Sequence, residues 1–127
     1  MKAALSVAIG GALGSLARYF ATEAVTALAG AAFPWGTVLV NISGCALIGA
    51  LAGGGALLPK SMPPSFVREF FVIGICGGYT TFSSFSLQTF QLLQTGHAAR
   101  ALANVALSVV LCLAATWGGY ELARGAV

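Results

Sequence analysis

The residues with chemistry to offer an ion fall in four clusters, and none of them carries a fixed charge. Thr37 and Asn41 stand four apart. Gly77, Gly78, Thr80 and Thr81 interrupt an apolar run, and Phe82, Ser83, Ser84 and Phe85 follow directly. Asn104, Ser108, Cys112 and Thr116 repeat at four-residue spacing. Asn brings two amide donors and one acceptor, and a hydroxyl brings one donor. A phenyl ring has a positive edge. Such groups can replace the water around a small anion in stages, without one site so deep that the ion never leaves.

Spacing aligns these groups. Residues three or four apart share a helix face, so Phe82, Phe85, Ser86 and Thr89 form a mixed aromatic and hydroxyl stripe. The series from Asn104 to Thr116 forms a polar ladder, read as lining a pathway. Two adjacent glycines followed by two threonines predict an interrupted helix near Gly77–Thr81. Freed carbonyls at such a break can bind a cation, and free N–H ends can face an anion. Each feature has a packing alternative. A break can be a kink relieved by neighbouring helices, paired Phe can be core, and a lone Asn can join two helices.

Enzyme chemistry finds no support. There is no paired carboxylate in the apolar segments, no His beside a nucleophile and no phosphate loop. Arg18 is the basic residue that falls well inside an apolar segment. It either pairs loosely with Glu23, snorkels to an interface, or adds positive potential at an anion vestibule. Arg68 and Glu69 read as interfacial, and His97 as a solvated loop residue.

These residues need a membrane scaffold to hold them. The 127-residue chain is 58% hydrophobic and 7% charged, against about 25% charged in soluble domains. A spanning helix takes roughly 20 apolar residues. Four segments qualify, from about Ala4 to Leu28, Trp35 to Leu58, Phe66 to Leu93 and Ala98 to Leu122. They make one all-α integral membrane domain over residues 1–127. The connectors, Gly30 to Pro34, Pro59 to Pro64 and Gln94 to His97, leave no room for a soluble domain. Met1-Lys2 and the apolar run after it read as a retained first helix, not a cleaved leader. The net charge of +3 is scattered, which argues against nucleic-acid binding.

Four spans put both termini on one side with Lys2, Lys60, Arg68 and Arg124, and leave Arg100 and possibly Arg18 opposite. The bias favours cytoplasmic termini, yet insertion in both orientations stays open. Gly10 with Gly14, and Gly49 with Gly53, have the small-residue spacing of close helix packing. Cys45, Cys76 and Cys112 read as small apolar packing residues, since no Cys/His spacing suggests a metal. Four spans are few for enclosing a pathway, so an oligomer is expected.

Three blocks resemble the Fluc (CrcB) family of small fluoride channels. Gly10 to Tyr19 resembles GG-x-x-G-x-x-x-RY, and Gly36 to Gly44 resembles GT-x-x-VN-x-x-G. The third block, Gly74 to Phe85, resembles G-x-CGG-x-TTFS-T-F and is the most specific. The resemblance implies an antiparallel, dual-topology homodimer with two fluoride pores, multi-pass in the inner (plasma) membrane. It implies a central structural sodium ion held by the backbone carbonyls of Gly77 and Thr80. Phe82 and Phe85 map onto the family's anion-facing rings and Asn41 onto its second-helix Asn. Thr37, Ser83, Ser84, Ser108 and Cys112 complete the expected fluoride pathway, and Arg18 has a structural or electrostatic role. The chain departs from the usual pattern at Tyr79, Ser84, Ala46 and Cys112.

The expected function is passive fluoride export down its electrochemical gradient. Hydrofluoric acid enters neutral and dissociates inside, so the trapped anion needs only a pore. Two rivals remain. A small multidrug-resistance-like proton-coupled exporter wants an embedded carboxylate, for which Glu23 is the candidate. A non-conducting assembly subunit would pack its polar stripe against protein.

Overall fold

The computed structural model describes residues 1–54, 58–59 and 61–125. Residues 55–57, at the expected end of the second span, and Lys60, one of the orientation charges, lie outside the described residues. All four expected spans are found as helical runs long and apolar enough to cross a bilayer.

Helix α1 covers Lys2–Ala29 and α2 covers Trp35–Ala52. Proline-free interiors keep both continuous. Gly30, at φ 78°, ends α1 while its N–H donates to Thr26 O at 2.9 Å. Helix α2 stops short of the expected Leu58. Gly53 caps it through Gly49 O, and Gly54 then takes φ 126°, a backbone conformation open mainly to glycine.

The third span is built in pieces. Pro64 opens α3 (Pro64–Phe66) at a position where a missing N–H costs nothing. A π-helical stretch, π1 (Val67–Cys76), follows, and α4 (Gly77–Tyr79) ends it. The wider turn shows at the end of π1, where the Gly77 N–H reaches Val72 O, five residues back, as well as Gly74 O. After two extended residues the chain re-enters helix as α5 (Phe82–Gln94), and α6 (Ala98–Gly125) completes the bundle.

The helix is interrupted where expected, but the glycines are not the interruption. Gly77 is helical, with φ −64° and ψ −36°. The extended residues are Thr80 (ψ 158°) and Thr81 (φ −151°, ψ 111°). Gly74 and Gly78 serve packing against α1 instead. A Cβ on Gly74 would lie 2.9 Å from Gly10 Cα, and one on Gly78 would press on the Gly11 backbone. Backbone-to-backbone approach of this kind holds helices together where lipid removes the hydrophobic drive.

Helix α2 runs parallel to α6 and packs on it extensively. Gly49 sits against the Thr116 backbone, and one turn on, Gly53 sits against the Tyr120 backbone. Stepping back by whole turns brings Cys45 level with Cys112, Asn41 with Ser108 and Thr37 with Asn104. The α5 helix leans on α6, and α1 covers π1 and α4. Leu13, Phe20, Leu102 and Trp117 are all exposed. That surface suits lipid and would be costly in water.

Candidate functional site

The break is held by a set of polar contacts that begins with Thr81. Its N–H donates to Asn41 Oδ1 at 2.7 Å, and its carbonyl accepts from Asn41 Nδ2 at 3.1 Å. Both backbone groups that an interrupted helix leaves unpaired are thus satisfied by one amide. Asn41 is 8% exposed and Thr81 7%, a depth at which unpaired groups are expensive. The Thr81 hydroxyl accepts from Ser84 N–H at 3.1 Å, donates to Ser84 Oγ at 3.0 Å and lies 3.2 Å from Ser83 Oγ. Thr81 therefore caps α5 from its N-terminal side.

Thr80 closes the other half. Its N–H and its hydroxyl both donate to Cys76 O at 2.9 Å. Its carbonyl accepts from Arg18 Nη1 at 3.1 Å. Of the roles expected for Arg18, pairing with Glu23 gives way to a bond with the break itself. The Gly77 carbonyl loses its ordinary partner, because Thr81 N–H, four residues on, turns to Asn41 instead.

Beside the break lies a cavity of about 450 Å³. It brings together Asn41, Gly77, Thr80, Phe82, Phe85, Ser108 and Cys112, along with Thr81 and Cys45. Among the described residues that line it, none is charged. The rings of Phe82 and Phe85 stand 5.3 Å apart at 53°. Phe82 is 80% exposed in the single chain, which leaves its ring open to a neighbour or a passing ion.

The cavity holds uncommitted donors. Asn41 spends one amide hydrogen on Thr81, and an Asn amide has two. The Ser108 hydroxyl is buried and has no hydrogen-bond partner among the described residues. A buried polar atom without a partner is unusual enough to need a reason, and a ligand in the adjoining cavity supplies one.

Other expected residues sit elsewhere. Thr37 is buried a turn before Asn41, away from the cavity wall. Ser83 and Ser84 turn to the Thr81 cap. The ladder on α6 divides. Ser108 and Cys112 face the cavity, and Thr116 bonds back to Cys112 O at 3.0 Å. Asn104, fully buried, donates to Thr89 Oγ1 at 2.8 Å, and Thr89 donates to Phe85 O at 2.7 Å. This chain ties α6 to the helix that bears both phenyl rings. Thr81 is expected as part of the break but not as a cap, and Cys45 as a packing residue but not in the cavity wall. A cap residue before Phe-Ser-Ser signals the first, and one further four-residue step from Asn41 reaches the second.

A largely apolar cavity with a few polar groups and no fixed charge, walled by a broken helix among four apolar spans, defines a small multi-span membrane protein of the channel or carrier kind. Residues 5–120 match the family model for CrcB-like protein, Camphor Resistance (CrcB), and the chain belongs to that family. It is similar to the fluoride-specific ion channel FluC of Rhodospirillum rubrum, 51% identical over 91% of this chain and 90% of that one. It is also similar to the FluC proteins of Methylocella silvestris, at 48% identity over 94% of this chain and 91% of that one, and of Geobacter sulfurreducens, at 46% over 98% of each.

Proposed function

We propose that this chain is a fluoride channel that lets cytoplasmic fluoride leave passively through a multi-pass membrane dimer. It is not an enzyme. The observation that carries the reading is the uncharged cavity with spare donors beside two phenyl rings. Asn41 offers an amide N–H, Ser108 a hydroxyl and Phe82 with Phe85 their ring edges. Fluoride is strongly hydrated, so each such donor offsets part of the lost water. Arg18 stands behind the break, on the Thr80 carbonyl, and biases the region towards anions.

The residue pattern also supports the finer reading of two pores in an antiparallel, dual-topology homodimer in the inner membrane. The exposed Phe82 ring is then completed by the second subunit. A structural sodium ion fits the Gly77 carbonyl, whose helical donor has turned away. It fits the Thr80 carbonyl less freely, because Arg18 already uses one of its lone pairs. When bound, sodium would supply a fixed positive centre joining the two broken helices.

Liposomes loaded with fluoride and containing the pure protein test the proposal. Efflux well above that from empty liposomes is expected, with no requirement for a proton gradient. Efflux that depends on a proton gradient would instead favour the coupled exporter, and efflux no faster than the empty control would overturn the channel reading.

A further inference from the structure

The cavity wall carries more sulfur than fluoride passage calls for. Cys45, Cys76 and Cys112 are all free thiols, come from three different elements, and line the same cavity. Two of them face each other. The parallel register set by Gly49 on Thr116 and Gly53 on Tyr120 puts Cys45 opposite Cys112. Both side chains line the cavity at that level, one turn from Asn41 on α2 and from Ser108 on α6. Cys76 lines the same cavity from π1, but among the described residues no three metal-ligating side chains gather around one point.

We infer that Cys45 and Cys112 form a dithiol site for a soft, two-coordinating divalent cation, and that a cation held there obstructs the cavity. Sulfur ligands select soft metals over hard ones. The thiols must lose their protons to bind. Two thiolates on one divalent cation give a neutral unit, which matters where a net charge is costly to bury. A monovalent cation would leave the pair negative. With mercury(II) chloride as the probe, two sulfur–mercury bonds form, two chlorides leave and two protons pass to water, with no change of oxidation state. The bound cation would lie one helical turn from Asn41 and Ser108, in the space that the phenyl rings also face. The obstruction rests on the reading of this cavity as the fluoride path, whereas the binding does not.

Both are read on the full chain in liposomes, with mercury(II) added at one ion per chain. Free thiols are counted with an aromatic disulfide reagent after opening the vesicles, and fluoride efflux is measured on the same preparation. The expected result is that one ion withdraws two thiols from the count and efflux falls to the empty-liposome rate. Excess small-molecule dithiol should restore both. Cys45→Ala should lose only one thiol per ion, the mercury keeping one chloride, while Cys76→Ala should still lose two and stay sensitive. Loss of only one thiol per ion in the parent protein would overturn the site. So would two thiols withdrawn per ion in Cys45→Ala, or insensitivity in Cys76→Ala. Two thiols withdrawn with efflux unchanged would overturn the obstruction. The thiol count needs no fluoride movement, so a failed site is distinguishable from a failed channel reading.

Discussion

The Asn41 side chain holds both backbone groups of Thr81, accepting its N–H at 2.7 Å and donating to its carbonyl at 3.1 Å. One amide thus does for Thr81 what a helical neighbour on each side does elsewhere. It links α2 to the start of α5, so the cavity wall formed by Asn41 and the rings carried by α5 move as a unit.

Asn41→Ala should therefore act on fold and flux together. It leaves a buried N–H and a buried carbonyl unpaired, each worth about 1–3 kcal/mol. Thermal unfolding in detergent should shift down, and fluoride efflux should fall. A variant with parental thermal stability would show that the pair contributes nothing at the break.

Thr81→Ala isolates the cap. The lost hydroxyl should cost about 1 kcal/mol and free Ser83 and Ser84 to turn elsewhere. Thr81→Ser keeps the hydroxyl and should keep the stability. Equal melting temperatures for Thr81→Ala and Thr81→Ser would remove the capping role.

The four spans were legible because their apolar length has no other use, and the break was legible from hydroxyls set in an apolar run. Its position was not. Gly77 and Gly78 look like breakers in a list of propensities, yet both are helical, and Gly78, like Gly74 a turn before it, lies close against the α1 backbone at Gly11 and Gly10 respectively. The interruption passes to Thr80 and Thr81 because Asn41 and Arg18, from other helices, satisfy their backbone. Contacts some 40 and 60 residues away in sequence leave no periodic mark, so no window around the break reveals them. The polar ladder on α6 was legible as a face, but not as a face shared between the cavity and α5. That division depends on Thr89 standing beside Asn104.

Phe82 and Phe85 separate function from folding. Phe82 is largely exposed in the single chain, so Phe82→Ile should change the subunit's own stability little. Both Phe82→Ile and Phe85→Ile should slow fluoride efflux in protein that still assembles, because an aliphatic side chain has no positive ring edge to offer. Unchanged efflux in both variants would strip the rings of their assigned role.

Arg18 and sodium compete for one carbonyl under the proposed function. The guanidinium donates to Thr80 O at 3.1 Å, and a cation on the same oxygen would meet its positive charge in a medium that screens poorly. Arg18→Gln retains a donor and removes the charge. It should lower the sodium concentration needed to stabilise the dimer, read by thermal unfolding or size-exclusion profile in sodium against a large organic cation. At the same time it should reduce fluoride efflux, since the positive bias behind the break is gone. A parental protein whose assembly ignores sodium would overturn the cation site. A sodium-dependent parent with an unshifted Arg18→Gln would show instead that the guanidinium swings off Thr80 when the ion arrives.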